Sequence, residues 1–319
     1  MSTAASVSPP AATPDVRGRA RSAVPATPRP LTSGSATSAP GSPRGVLELV
    51  ISERGGRSVA SHQFHEGALR ILRPHYLDDS GQVCYVMVNP GGAYLGADLF
   101  LVDVEVQAGA ALLLTTQSAT KIYRTPGSFA EQRMALRLGD NARLELAPDQ
   151  LIAYREASYR QRTHVTVCPT SSLIMAEVVT PGWSPDGSAF KYEELRLRNE
   201  IYVCGDDGAQ MLALDNLLIR PPLGDVTGMG FMEGFSHLGS LMVVDPRVDQ
   251  ALADELHALT AAYDAHTGVS LTAHTAGTAG LILRSLSRST GELNHLLQAC
   301  TGLLRRRWYG QAPLNLRKY

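Results

Sequence analysis

Three carboxylates interrupt apolar stretches of this sequence, and acids so placed could meet a cation. Asp98 follows a glycine-rich turn and precedes an apolar run. Glu177 lies inside Leu173-Ile174-Met175-Ala176-Glu177-Val178-Val179, and Asp215 inside Leu212-Ala213-Leu214-Asp215-Asn216-Leu217-Leu218. An ionised group in a low-dielectric interior is costly unless it is paired or faces water. Either each acid occupies the solvent face of a strand, or the three line a wet internal passage. Strand alternation, which permits a polar residue on an exposed face, favours the first reading. His62 and His65 form a His-x2-His pair that could hold a first-row metal. Strand residues three apart face opposite ways, so the pair chelates only in a turn or bulge. Partly exposed or core histidines are the commoner outcome. The run from Thr115 to Tyr123 is rich in hydroxyls and ends in Lys121-Ile122-Tyr123. It reads as a strand with hydroxyl bonds across its ladder, or as a polar docking surface.

The usual catalytic signatures are missing. There is no GxxxxGK[ST], no HExxH, no GxSxG and no GxGxxG opening a helix. Paired carboxylates could serve a glycoside hydrolase. Carbohydrate clefts usually offer aromatic platforms, whereas aromatic residues make up 6% of this chain and tryptophan only two positions. A net charge of −1 argues against coating nucleic acid or an anionic membrane. No apolar run approaches the ~20 residues of a membrane span. Cys84, Cys168, Cys204 and Cys300 form no CxxC pair and read as reduced, mostly buried thiols of a cytoplasmic protein.

The elements that must position these residues are mostly strands. Residues 1–45 are dominated by Ala, Ser, Thr and Pro and read as a disordered tail. A transit peptide is the alternative, opposed by eight prolines. From Val46 to about Val244 strand follows strand. In Leu101 to Gln107, Val102, Val104 and Val106 point one way and Asp103, Glu105 and Gln107 the other. Gly205-Asp206-Asp207-Gly208 should turn a hairpin. With no helical pattern between them, these strands make an all-β body. The last quarter changes period. Asp245-Pro246 predicts a helix start, with Val248, Leu252, Leu256, Leu259 and Tyr263 on one face. After a hairpin, Ser289 and Glu292 have capping-box spacing for a second amphipathic helix. Arg305-Arg306-Arg307 suit the negative end of its dipole.

In combination, two segments resemble the urease accessory protein UreD (UreH) family. They are Asn89-Pro90-Gly91-Gly92, followed by Gly96-Ala97-Asp98, and Thr115-Thr116-Gln117-Ser118-Ala119-Thr120-Lys121-Ile122-Tyr123. Arg70-Ile71-Leu72-Arg73-Pro74, Leu146 to Gln150 and Gly280 to Arg284 add to the likeness, which runs from about Arg70 to the C-terminus. The family often has Gly-Gly-Asp where this chain has Gly96-Ala97-Asp98.

The resemblance implies a mainly β body of stacked strands, β-helix-like, spanning residues 46–319 and ending in two helices. It implies a non-enzyme that binds apo-urease and UreF, and through UreF the GTPase UreG, and that supports nickel delivery. Nickel would be in transit through an internal tunnel, with no tightly bound cofactor, no nucleic acid and no membrane. Asp98 is the matched candidate for an acid of that conduit, with Glu177 and Asp215 placed by approximate spacing. Asn89, Pro90, Gly91, Gly92, Thr115, Thr116, Gln117, Lys121 and Tyr123 become candidates for partner docking. Carboxylates that attract nickel(II) without caging it suit a conduit. On this basis Asp98→Ala and Asp98→Asn are expected to leave complex formation intact and to lower urease activation. Normal activation by both would remove Asp98 from the mechanism.

Overall fold

A computed structural model describes residues 43–205 and 208–316. The tail read over residues 1–45 lies outside them except for residues 43–45, and so do Asp206 and Asp207 of the expected hairpin turn. The chain runs through β1 (Gly45–Arg54), β2 (Arg57–Gly67), β3 (Arg70–Ile71), β4 (Val83–Val88), β5 (Leu99–Val106), β6 (Ala111–Thr116) and β7 (Thr120–Ile122). There follow β8 (Ala130–Leu138), β9 (Arg143–Ala147), β10 (Leu151–Ala153), β11 (Ser158–Val167), β12 (Ser172–Val179), β13 (Glu194–Gly205) and β14 (Gly208–Ile219). The last part is β15 (His237–Asp245), helix α1 (Gln250–Thr260), β16 (His266–Leu271), β17 (Ala279–Ser287) and helix α2 (Thr290–Tyr309).

These strands belong to two facing sheets. Sheet A has the order β14-β13-β11-β8-β5-β1-β2, and sheet B the order β16-β17-β15-β12-β9-β6-β4-β3. The chain alternates between them, so β5, β8, β11 and β13 stack in parallel in one while β4, β6, β9 and β12 stack in parallel in the other. This is a β-solenoid-like stack of coils, mainly β, with two α-helices among the described residues. A third, short side is made by β7 and β10, which pair in parallel, and by the single bridges Tyr94–Ile122 and Tyr154–Trp183. On this corner the rings of Tyr123, Tyr154 and Trp183 form a ladder, with centroids 4.8 and 4.9 Å apart. Tyr123 and Trp183 remain exposed.

The main core lies between the sheets. Val102, Val104 and Val106 point into it, as their alternation predicts. A second core fills the outer face of sheet B, where Ile174, Val178, Leu241, Val243 and Leu281 pack against Leu252, Leu256, Leu293, Leu296 and Leu304 of the helices. The strands of sheet B therefore have little solvent face in that region.

Two expectations about the helices are corrected. Asp245 does not cap α1. It ends β15 fully buried, and its carboxylate accepts from the backbone and guanidinium nitrogens of Arg247. With that side chain occupied, the helix begins later, capped by Asp249, whose carboxylate accepts from the Leu252 amide at 2.8 Å. Ser289 does cap α2. Arg305, read as a partner of the helix dipole, turns inward instead. Its guanidinium donates to both oxygens of Glu145 on β9, at 2.6 and 2.8 Å, and both side chains are only 2% exposed. Gln82 and Arg143 also donate to Glu145, and Arg143 lies 3.5 Å from the centre of the Tyr309 ring. Among the cysteines, Cys84 and Cys300 are buried, while Cys168 and Cys204 keep partial exposure. Among the described residues no helix is long and apolar enough to cross a membrane.

Removing one partner of a buried ion pair strands the other. Arg305→Ala is expected to cost about 3–5 kcal/mol of stability, read as a lower urea midpoint. A loss below about 1 kcal/mol would mean that Arg143 and Gln82 suffice to satisfy Glu145.

Candidate functional site

The two segments that carry the family resemblance meet at one corner of the stack. Asn89 fastens the turn after β4: its side-chain oxygen accepts from the Gly91 amide at 3.0 Å and its amide donates to the Ala93 carbonyl at 3.2 Å. Gly92 completes the turn at φ +75°, a conformation costly for residues with a Cβ. The next coil passes the same corner. The Gln117 amide donates to the Met87 carbonyl, and the Thr115 and Thr116 hydroxyls donate to the Ala147 carbonyl and the Asp149 carboxylate. Each hydroxyl thus ties one coil to the next.

Behind this corner lies a cavity of about 90 Å³, room for several waters. Its wall includes Asn89, Gly92, Thr116, Gln117 and Lys121 of the corner and Gln132, Gln161 and Glu177 of the interlayer. The latter belong to polar rungs in an otherwise apolar interlayer. Gln132 and Gln161 are register partners on β8 and β11 of sheet A. One rung further, Asn199 on β13 pairs with Asp215 on β14. On sheet B the facing rung is Glu177, Ser240 and Arg284, from β12, β15 and β17.

Hydrogen bonds join these rungs into a line. The Gln161 amide donates to one oxygen of Glu177 at 2.5 Å, and the Asn199 amide donates to the other at 3.0 Å. The same Asn199 nitrogen lies 3.5 Å from an Asp215 oxygen, and Asp215 is ion-paired with Arg284. Two polar atoms in this region have no protein partner: the Asn199 side-chain oxygen and the Ser240 hydroxyl, on residues 0% and 3% exposed. Burial pushes the Glu177 carboxyl above the usual range, against hydrogen bonds from Asn199 and Gln161 and the charge of Arg284. Burial likewise pulls Arg284 down, countered by Glu177.

The structure brings some of the expected residues together and leaves others apart. Glu177, half-buried, is not on an outer face. It points between the sheets, flanked by the core residues Met175 and Val179, because the helices cover the other face of β12. Asp215 also points inward, while Leu214 and Leu218 beside it are exposed. Asp98 lies elsewhere, at the turn before β5, outside the cavity wall. Its carboxylate accepts from the Leu95 amide at 2.8 Å. The preceding Ala97 adopts φ +65°, a strained position for alanine that explains why glycine suits it in the related pattern. Pro90, Gly91 and Tyr123 are exposed at the corner. His62 and His65 do not converge: His62 bonds Glu48 at 3.2 Å on the exposed side of β2, and His65, three residues on, pairs in register with the inward-facing Leu47. Gln161, Asn199 and Ser240 have no signal of their own in the sequence, and Arg284 enters it only as the last residue of the Gly280 to Arg284 likeness. Each is a polar residue on an otherwise inward-facing apolar row, visible only once the register is known.

A family model described as UreD urease accessory protein matches residues 43–318. The chain is 76% identical over 279 residues to a urease accessory protein UreD of Paenarthrobacter aurescens, covering 88% of this chain and 96% of that protein. It is 78% identical over 277 residues to the UreD of an Arthrobacter species, covering 87% and 94%. It remains 31% identical over 278 residues to the UreD of Bacillus cereus, covering 87% and 99%.

The raised Glu177 carboxyl has a consequence for stability. A carboxyl held above its unfolded value, near ~4.3, stabilises the fold fully only below that value, and the contribution is lost as pH rises through the folded one. Glu177→Gln removes the dependence. Its new N–H can be accepted by the Asn199 side-chain oxygen if that amide flips. The variant is expected to match or exceed the parent in stability at neutral pH, with the advantage shrinking towards about pH 4. Urea titrations across pH check this; a parent protein that gains stability relative to the variant as pH rises would reverse the sign.

Proposed function

The chain belongs to the urease accessory protein UreD family and so has a role in urease maturation; on that premise we propose that it is a non-catalytic cytoplasmic scaffold that binds apo-urease and UreF and leads nickel between them. The observation that carries this reading is Glu177, an acid in the wall of a cavity with room for several waters inside an apolar stack. A divalent cation in such an interior needs anionic or neutral oxygen donors, and a conduit needs few of them, so that the ion can leave again. Glu177, Asp215 and the unpartnered Asn199 oxygen meet that requirement. The two family segments at the corner of the cavity wall give the passage a mouth where a partner can dock, formed by Asn89, Gly92, Gln117 and Lys121. With no P-loop in the chain, the nucleotide-driven step falls to UreG, reached through UreF.

The hydrolase alternative finds less support. A cavity of about 90 Å³ lies far below the ~300 Å³ at which small-molecule sites begin. Glu177 and Asp215 share one bridging amide, which leaves no room for a sugar ring between them.

In cells producing urease with UreF, UreG and this chain, Glu177→Gln and Asp215→Asn are expected to lower urease activity and its nickel content several-fold. Copurification with UreF and UreG should be unchanged. Asp98→Asn, which keeps the acceptor for the Leu95 amide, is expected to have a smaller effect than Glu177→Gln. Full activation by both interior variants would sink the conduit and leave the scaffold; failure of the parent chain to copurify with UreF or urease would sink the scaffold.

A further inference from the structure

Arg284 is the cation already present in the polar line. It comes from sheet B and pairs with Asp215 of sheet A, at the place where β14 and β17 approach each other across the seam between the sheets. Asp215 is 12% exposed, whereas the Arg284 side chain is 35% exposed. Part of this side chain is therefore buried while part already reaches solvent. Removing Arg284 from Asp215 without replacement would leave two carboxylates, Glu177 and Asp215, bridged by one amide in a low-dielectric interlayer. That arrangement is costly. A divalent ion entering the line meets the same two carboxylates and repels the guanidinium.

We propose that Arg284 is a tethered counter-ion that a divalent cation must displace: the ion binds at Glu177 and Asp215, the Asn199 amide turning over to offer its oxygen in place of the nitrogen that bridges the two acids, while the guanidinium swings to solvent, and the guanidinium returns when the ion leaves. This rests on reading Glu177 and Asp215 as a passage for nickel and adds the element that sets its affinity. Two observations beyond the acids support it. The Asn199 oxygen and the Ser240 hydroxyl are buried and unpartnered. Ser240 lies between Glu177 and Arg284 on the same rung, so the donors a cation would use stand beside the charge that occupies the place. The exchange takes the line from one net negative charge, two carboxylates against one guanidinium, to neutrality, two carboxylates against a divalent ion. It makes the site weak by construction, because every binding event breaks an ion pair. Lysine would preserve the competition, since it keeps the charge. A neutral side chain of similar length would abolish it.

The test is equilibrium dialysis of the purified full-length chain against nickel(II) alone, with far-ultraviolet circular dichroism confirming the fold of each variant. Arg284→Gln is expected to bind nickel about tenfold more tightly than the parent, because the competing cation is gone. Arg284→Met, which retains the packing of the stem, is the second variant should the first fold poorly, and is expected to show the same gain. Arg284→Lys should resemble the parent, and adding Glu177→Gln to Arg284→Gln should cancel the gain. Equal affinity of Arg284→Gln, Arg284→Met and parent, with Glu177→Gln weakening all of them, would overturn the exchange and leave the passage standing. Affinities that ignore Glu177→Gln in every background would overturn the passage, and the exchange with it.

Discussion

Sheet B is covered twice, by sheet A on one side and by α1 and α2 on the other, and a charge on its middle strands has no solvent face to turn to. The position of Glu177 follows from that. Its strand neighbours Ile174 and Val178 are spent on the helices, and Leu173, Met175 and Val179 on the main core, so the acid shares the core face. There it must be met by donors from sheet A. Parallel stacking fixes which residues those are, since a register slip of one would send Gln161 and Asn199 to the other face. The polar line is a product of register as much as of residue type.

The helices that impose this constraint need fastening. Their apolar stripes supply area, but direction comes from the buried cluster of Glu145, Arg305, Arg143 and Gln82. Polar groups so deep specify one arrangement, because any sliding of α2 along the sheet would leave several charged atoms unpaired. The fastening and the polar line use opposite faces of the same sheet: Glu145 points outward on β9, Glu177 inward on β12.

Much of the fold was legible in the sequence because strand alternation and helix caps are local. Leu101 to Gln107 and the Ser289 cap came out as read. The errors share a cause. For Arg305 and Glu177 the local rule is overridden by partners far away in the chain, Glu145 and the helices over β12, while Asp245 is claimed by Arg247 two residues on, whose guanidinium packs on the distant Trp308. The stacked coils are implied by the family resemblance and not by any repeat in the residues, for a related reason. Successive coils of about thirty residues place different side chains on the same rung, so the repeat is geometric and leaves no periodic motif. That is also why the Asn-Pro-Gly-Gly and Thr-Thr-Gln segments, apart in sequence, could be recognised by likeness but not joined at one corner.

The ladder of Tyr123, Tyr154 and Trp183 has an optical consequence. Three coils contribute one ring each at van der Waals separation, so light absorbed by either phenol is handed to the indole without leaving the corner. The chain's other indole, Trp308, lies against the Arg247 guanidinium at the far end of α2. Emission from the two tryptophans thus reports on different events, coil unstacking for one and helix undocking for the other, and the protein carries built-in probes of both.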